Sequence, residues 1–211
     1  MRTWAVAVVC LWGASVSLSG AACAQPMSIP SEALSIALKA VYDKPVGVNG
    51  RPFTPTIVIA EGVPLPQPLT VFGVEAALRT RAQAREAQLA WFVYLARVAQ
   101  TPEGWLIDYQ QPHGARFGTL RVRREGEDWV LGEQEKMRSS SGARLFYGEL
   151  YEGVTCRPGS EMAQRWAMQR DAMGMAGAGA ASSQPVRCPG DAFPEVAAYR
   201  QARRLGLIGR D

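Results

Sequence analysis

Trp91-Phe92-Val93-Tyr94-Leu95-Ala96-Arg97-Val98-Ala99-Gln100-Thr101-Pro102-Glu103-Gly104-Trp105-Leu106-Ile107-Asp108-Tyr109 places two aromatic, apolar runs on either side of a short break. Leu89, Phe92, Val93 and Ala96 could continue a helical stripe, yet Trp91-Phe92-Val93-Tyr94 is a strongly strand-prone run. The break settles the choice. Thr101-Pro102-Glu103-Gly104 has Pro and Gly where a tight turn wants them, and Trp105 to Tyr109 mirrors the run before it. The stretch therefore predicts a β-hairpin.

Further strands follow on its C-terminal side. Thr119-Leu120-Arg121-Val122-Arg123 alternates apolar and polar residues, as a strand with one wet face does. A polar turn through Gly126 leads to Trp129-Val130-Leu131. Ser139-Ser140-Ser141-Gly142 reads as a flexible loop, and Leu145 to Tyr151 as one more strand. Strands joined by short turns make an antiparallel β-meander.

Helices are expected on both sides, so the fold class is α+β. Upstream, Ser31 offers an N-cap, and Leu34, Ala37, Leu38 and Val41 recur at helical spacing to about Tyr42. Thr56-Ile57-Val58-Ile59 is a short buried strand. Pro64, Pro66 and Pro68 remove backbone donors and mark an extended connection or a sheet edge. Phe72 to Gln88 is rich in helix formers, with Glu75 and Arg79 at i,i+4, and predicts a helix. Downstream, Ser160 caps a helix to about Met173. Residues 175–187 form a flexible, small-residue linker, followed by a last helix from Pro194 to Arg203 and Arg204.

Residues 1–24 have the layout of an export signal: Arg2, an apolar stretch from Trp4 to Leu18, and Ala22-Cys23-Ala24 before Gln25. That leaves residues 25–211 as one α+β domain, in the periplasm or secreted. Losing Arg2 alone takes the formal charge from +4 to +3, with the basic residues scattered among acids, so nucleic-acid binding is not expected. Of the four cysteines, Cys10 and Cys23 leave with the signal. Cys156 and Cys188 remain and predict a disulfide that ties the C-terminal helix back across the linker. In the chain-entropy model, such a closure stabilises by roughly 3–4 kcal/mol. Gly20-Ala21-Ala22-Cys23 also resembles a bacterial lipoprotein signal, which would anchor the chain to the envelope at Cys23.

Chemistry is less legible. The one histidine, His113, sits in a loop with no identifiable partner, as a solvated residue would. Glu133 and Glu135 share a strand face, and Glu149 and Glu152 flank the aromatic strand, which leaves an envelope-acting hydrolase as the alternative function. Met168, Met173 and Met175 offer soft thioether sulfur for Cu(I), the third reading. No phosphate loop, H-E-x-x-H or dinucleotide fingerprint is present, and no cofactor is implied. The leading expectation is an exported, non-catalytic binding or accessory protein, an inhibitor or subunit that meets another protein or envelope component through its sheet. Trp91, Trp105, Trp129 and Tyr147, with Arg121 and Arg123, would form that aromatic and arginine surface.

Overall fold

The computed structural model describes residues 28–47, 51–172, 186–187, 201–202 and 204–205. The fold is α+β: helices flank a mixed six-stranded sheet. Its strands are β1 (Thr56–Ile59), β4 (Ala77–Thr80), β5 (Val93–Thr101), β6 (Gly104–Gln111), β7 (Arg116–Glu125) and β8 (Asp128–Arg138), in the order β4-β1-β5-β6-β7-β8. The expected hairpin is β5–β6, closed where Thr101 faces Gly104. Gly104 has a φ of +149°, and a Cβ there would lie 2.1 Å from the Val122 carbonyl oxygen, so the turn requires glycine. β7 and β8 complete the antiparallel meander.

The meander is not the whole sheet. β1 pairs parallel with both β4 and β5, and the chain reaches β5 from β4 through α2 (Arg81–Ala87). The helix expected over Phe72 to Gln88 is therefore replaced in its first half by strands. β2 (Thr70–Val71) and β3 (Val74–Glu75) form a small hairpin, whose turn residues Phe72 and Gly73 both have positive φ. Glu75 and Arg79 accordingly never share a helix face. Thr80 starts the real helix: its hydroxyl accepts from the Gln83 N–H while the Gln83 side chain accepts from the Thr80 N–H.

α1 (Ser31–Tyr42) covers one face of the sheet with Ala33, Leu34, Ala37, Leu38 and Val41. Pro30 occupies its N-cap position, so Ser31 is the first helical residue, and its hydroxyl donates to the Pro68 carbonyl at 2.9 Å. The other face is covered at the β1–β5 end by α2 and by α3 (Ser140–Leu150). This helix corrects the expected loop at Ser139–Gly142 and strand at Leu145–Tyr151. The Ser139 hydroxyl accepts from the Gly142 N–H at 2.9 Å, and Ala143, Phe146, Tyr147 and Leu150 lie at helical spacing on one buried stripe.

α4 (Glu161–Ala172) begins behind Ser160, whose hydroxyl accepts from the Ala163 N–H at 3.2 Å, as expected. β9 (Thr155–Cys156) pairs antiparallel with β10 (Val186–Arg187), so the last two residues of the expected linker form a strand. The export segment 1–24, the rest of that linker, Cys188, Met173, Met175 and most of the last helix lie outside the described residues.

Candidate functional site

At the end of the sheet where α1, the turn after β6 and the start of α4 meet, a cleft of about 680 Å³ opens. Among the described residues its charged lining is Lys44, Arg51, Arg116 and Arg138 against Asp43 and Glu161, an excess of two positive charges. Trp91, Phe53 and Tyr42 supply half-buried rings. The Tyr42 hydroxyl donates to the Thr56 carbonyl at 3.1 Å, so Tyr42 offers the cleft its ring rather than its oxygen. Gln111, 5 % exposed, adds a carboxamide.

Strand register creates the electrostatic feature of this cleft. Arg116, first in β7, stands directly opposite Arg138, last in β8. Like charges facing each other across a ladder are destabilising. Asp43 at the C-terminal end of α1, with a positive φ of 62°, forms an ion pair with Arg116. Arg138 and Lys44 have no ion pair among the described residues. The repulsion is thus neutralised on one side only.

The two carboxylates are committed to the fold. One Glu161 oxygen accepts from the backbone N–H groups of Ala90 and Trp91 at 3.0 and 3.4 Å, and the other lies 3.9 Å from Arg51. Asp43 is spent on Arg116. A glycosidase pair needs one proton-bearing acid and one free carboxylate across a bond, whereas these two carboxylates are each engaged by donors of the fold itself.

His113 lies in the 3₁₀ turn Pro112–Gly114 on the cleft wall, and it is not the solvated residue expected. Burial, reinforced by the Arg165 and Arg116 charges, lowers its pKa to about 4 against the opposing pull of a hydrogen bond to the Phe92 carbonyl. Its Nδ1 is buried without a hydrogen-bond partner. The ring is therefore neutral at physiological pH, and a weak base.

The expected aromatic and arginine surface is not assembled. Trp105 is 6 % exposed in the α1-side core, and Trp129 packs against the same core with Arg124 over its ring. Arg121 and Arg123 alternate with core residues Leu120 and Val122, so they project from the opposite face, where Arg123 pairs with Glu125 at 2.6 Å. Tyr147, 3 % exposed, belongs to α3 and not to the sheet. Of the six residues only Trp91 lines the cleft. Arg97, Asp108 and Thr119 form a hydrogen-bonded row on the open face, giving it a polar character.

The other expectations are also placed. Glu133 and Glu135 are exposed on β8, whereas Glu149 lies on α3 and Glu152 in the turn beyond it, so the latter two flank a helix end, not a strand. Met162 is buried in the core beneath α4 and Met168 is 45 % exposed, and no group of three or more His, Cys, Asp or Glu that could hold a metal occurs among the described residues. Cys156 is fully buried and is a half-cystine.

Asp43, Lys44, Gln111, Arg116, Arg138 and Glu161 were not singled out from the sequence. Counting outward from the Glu125–Asp128 turn would place Arg116 opposite Met137. A bulge between Leu120 and Val122 moves its partner to Arg138. No protein-family model matches this chain, and no curated protein or solved structure is significantly similar to it.

Proposed function

We propose that the protein is an exported, non-catalytic binding protein, an accessory subunit or inhibitor, that recognises its partner at the cleft beside Arg116 and Arg138. One observation carries the reading: among the described residues the cleft has surplus cations and aromatic walls, while its two carboxylates, Asp43 and Glu161, are already bound to structural partners. That combination favours holding an anionic group over transforming it. The mature chain in this reading begins at Gln25, lies in the periplasm or outside the cell, and carries the Cys156–Cys188 disulfide.

The full chain expressed in a bacterial host tests the proposal. Fractionation is expected to yield a shortened form in the periplasmic fraction with both remaining thiols blocked from alkylation until reduction. A full-length, reduced chain in the cytoplasm would overturn the export reading, and an acylated chain in the membrane fraction would select anchoring at Cys23. Crosslinking in an envelope extract is expected to trap a partner that Arg138→Glu loses. A partner lost instead on Arg121→Glu, and kept by Arg138→Glu, would return the binding site to the open sheet face.

A further inference from the structure

We infer that the cleft captures the C-terminal end of a peptide chain, with the terminal carboxylate at Arg138 and Lys44 and the last side chain against Trp91 and Phe53. The inference rests on the binding reading above and names its ligand. Its first support is the unbalanced cross-strand pair. Arg116 has Asp43, while Arg138, directly opposite, has no ion pair among the described residues. A carboxylate beside Arg138 would remove the repulsion and match the planar guanidinium fork with two parallel hydrogen bonds.

The second support is the mixture of walls. A bare inorganic anion would need only the cations, yet Trp91, Phe53 and Tyr42 line the same cleft. Phe53 is braced edge-on by Tyr42, with centroids 5.3 Å apart, so the apolar wall is built rather than incidental. Gln111 can both donate and accept, which fits the peptide group that precedes a terminal carboxylate. His113, neutral because it is buried among arginines, adds no charge and leaves the cations on Lys and Arg alone to set the anion preference.

The third support is continuity. Asp43, Arg116 and Arg138 also border a second cavity of about 430 Å³, where Lys136 adds another cation. The cationic ridge is thus reached from two sides, and the volume suits a chain end rather than a folded domain.

Isothermal titration of the full chain with acetyl-Ala-Ala-Ala-Phe as the free acid, with its C-terminal amide, and with inorganic phosphate tests this. The acid is expected to bind, and the amide to bind at least about tenfold more weakly, the scale of one lost charge-assisted contact. Arg138→Gln should bring the acid down to the amide's affinity, Trp91→Leu should weaken both peptides, and Arg123→Gln should change neither. Circular dichroism checks that each variant is folded. Equal affinity for acid and amide would overturn the inference, as would phosphate displacing the acid at equal concentration, which would mark a plain anion site. If neither peptide binds but Arg138→Glu still loses the crosslinked partner, the ligand class falls and the binding reading stands. If neither peptide binds and the crosslinked partner is also indifferent to Arg138, both fall.

Discussion

The two faces of the sheet are held by different physics. Beneath α1, Leu34, Leu38, Ile57, Val93, Leu95, Ile107 and Leu120 are buried to within about a per cent of completely, and the contact is dominated by aliphatic, non-directional burial, with Trp105 and Tyr109 as the buried rings among them. Beneath α3 the core is a cluster of rings, Phe92, Tyr94, Phe146, Tyr147 and Tyr151, and the hydroxyls of the last two are tied to backbone. Tyr147 donates to the Ala90 carbonyl, and Tyr151 to those of Ala84 and Leu89. Gln88 adds a latch, donating to the Thr155 carbonyl at 2.8 Å and accepting from the Arg157 N–H at 2.7 Å. Burial pushes the pKa of both tyrosines well above the ordinary range, so these donors persist at any physiological pH.

The difference assigns separate tasks to the two sides. The α1 side supplies stability in proportion to area and tolerates small shifts. The α3 side fixes where residues 84–91 and 155–162 run, and through them where Trp91 and Glu161 stand in the cleft. Geometry at the site depends on the directional side.

The comparison can be broken most severely at Leu34. Leu34→Ala removes a fully buried side chain from the aliphatic side and is expected to cost about 3 kcal/mol. Urea denaturation should show a lower midpoint at unchanged slope, with the native cleft intact. An unchanged midpoint would mean that the α1 side is not the main source of stability.

Acid should act on the other side. His113 in an unfolded chain titrates near 6.5, and in the fold at about 4. Its neutral form costs nothing above pH 6.5. As pH falls from 6.5 to 4 the unfolded chain takes up a proton that the folded one refuses, so stability drops by up to about 3 kcal/mol and levels off below pH 4. Chemical denaturation across that range should show the loss, and His113→Gln should flatten it. A variant with the same slope as the parent would place the acid sensitivity elsewhere.

Smaller still is Tyr151→Phe, which keeps the ring but deprives the Ala84 and Leu89 carbonyls of a donor, at a cost of about 1–2 kcal/mol. Unlike Leu34→Ala it should also perturb the cleft, visible as changed near-ultraviolet circular dichroism from Trp91 once the spectrum is compared with that of Trp91→Leu. The smallest effect separates stability from binding. Arg138→Gln is expected to stabilise the unliganded protein by a few tenths of a kcal/mol through relief of the facing arginines. A clear loss of stability would show that Arg138 is structural.

Elements with local signatures were legible. The Pro-Gly turn with its mirrored aromatic runs, the alternation around Leu120 and Val122, and the apolar stripe of α1 each announce themselves within a few residues. α3 was hidden because five aromatic or aliphatic residues among Leu145 to Tyr151 satisfy both a strand and a helix pattern. The discriminating signal was Ser139, read as loop though it stands where an N-cap would stand. Thr80 and Gln83 likewise spell a capping box inside a stretch read as continuous helix. Parallel pairing of β1 with β4 and β5 leaves no such local mark, since the same apolar run serves either direction.

The chain's own pattern was enough to set the α+β class, the meander and α1, because turn chemistry and side-chain period act over a few neighbours. The cleft depended on contacts between distant residues. Asp43 meets Arg116 across 73 positions and Glu161 meets Ala90 across 71. A single bulge decides that Arg138, and not Met137, faces Arg116. Because successive side chains on a strand point to opposite faces, a one-residue change of register exchanges what is presented and what is buried. The face that α1 covers put Trp105 and Trp129 in the core and Arg121 and Arg123 on the far side, and the bulge brought the cations of the cleft to a place only the folded sheet defines.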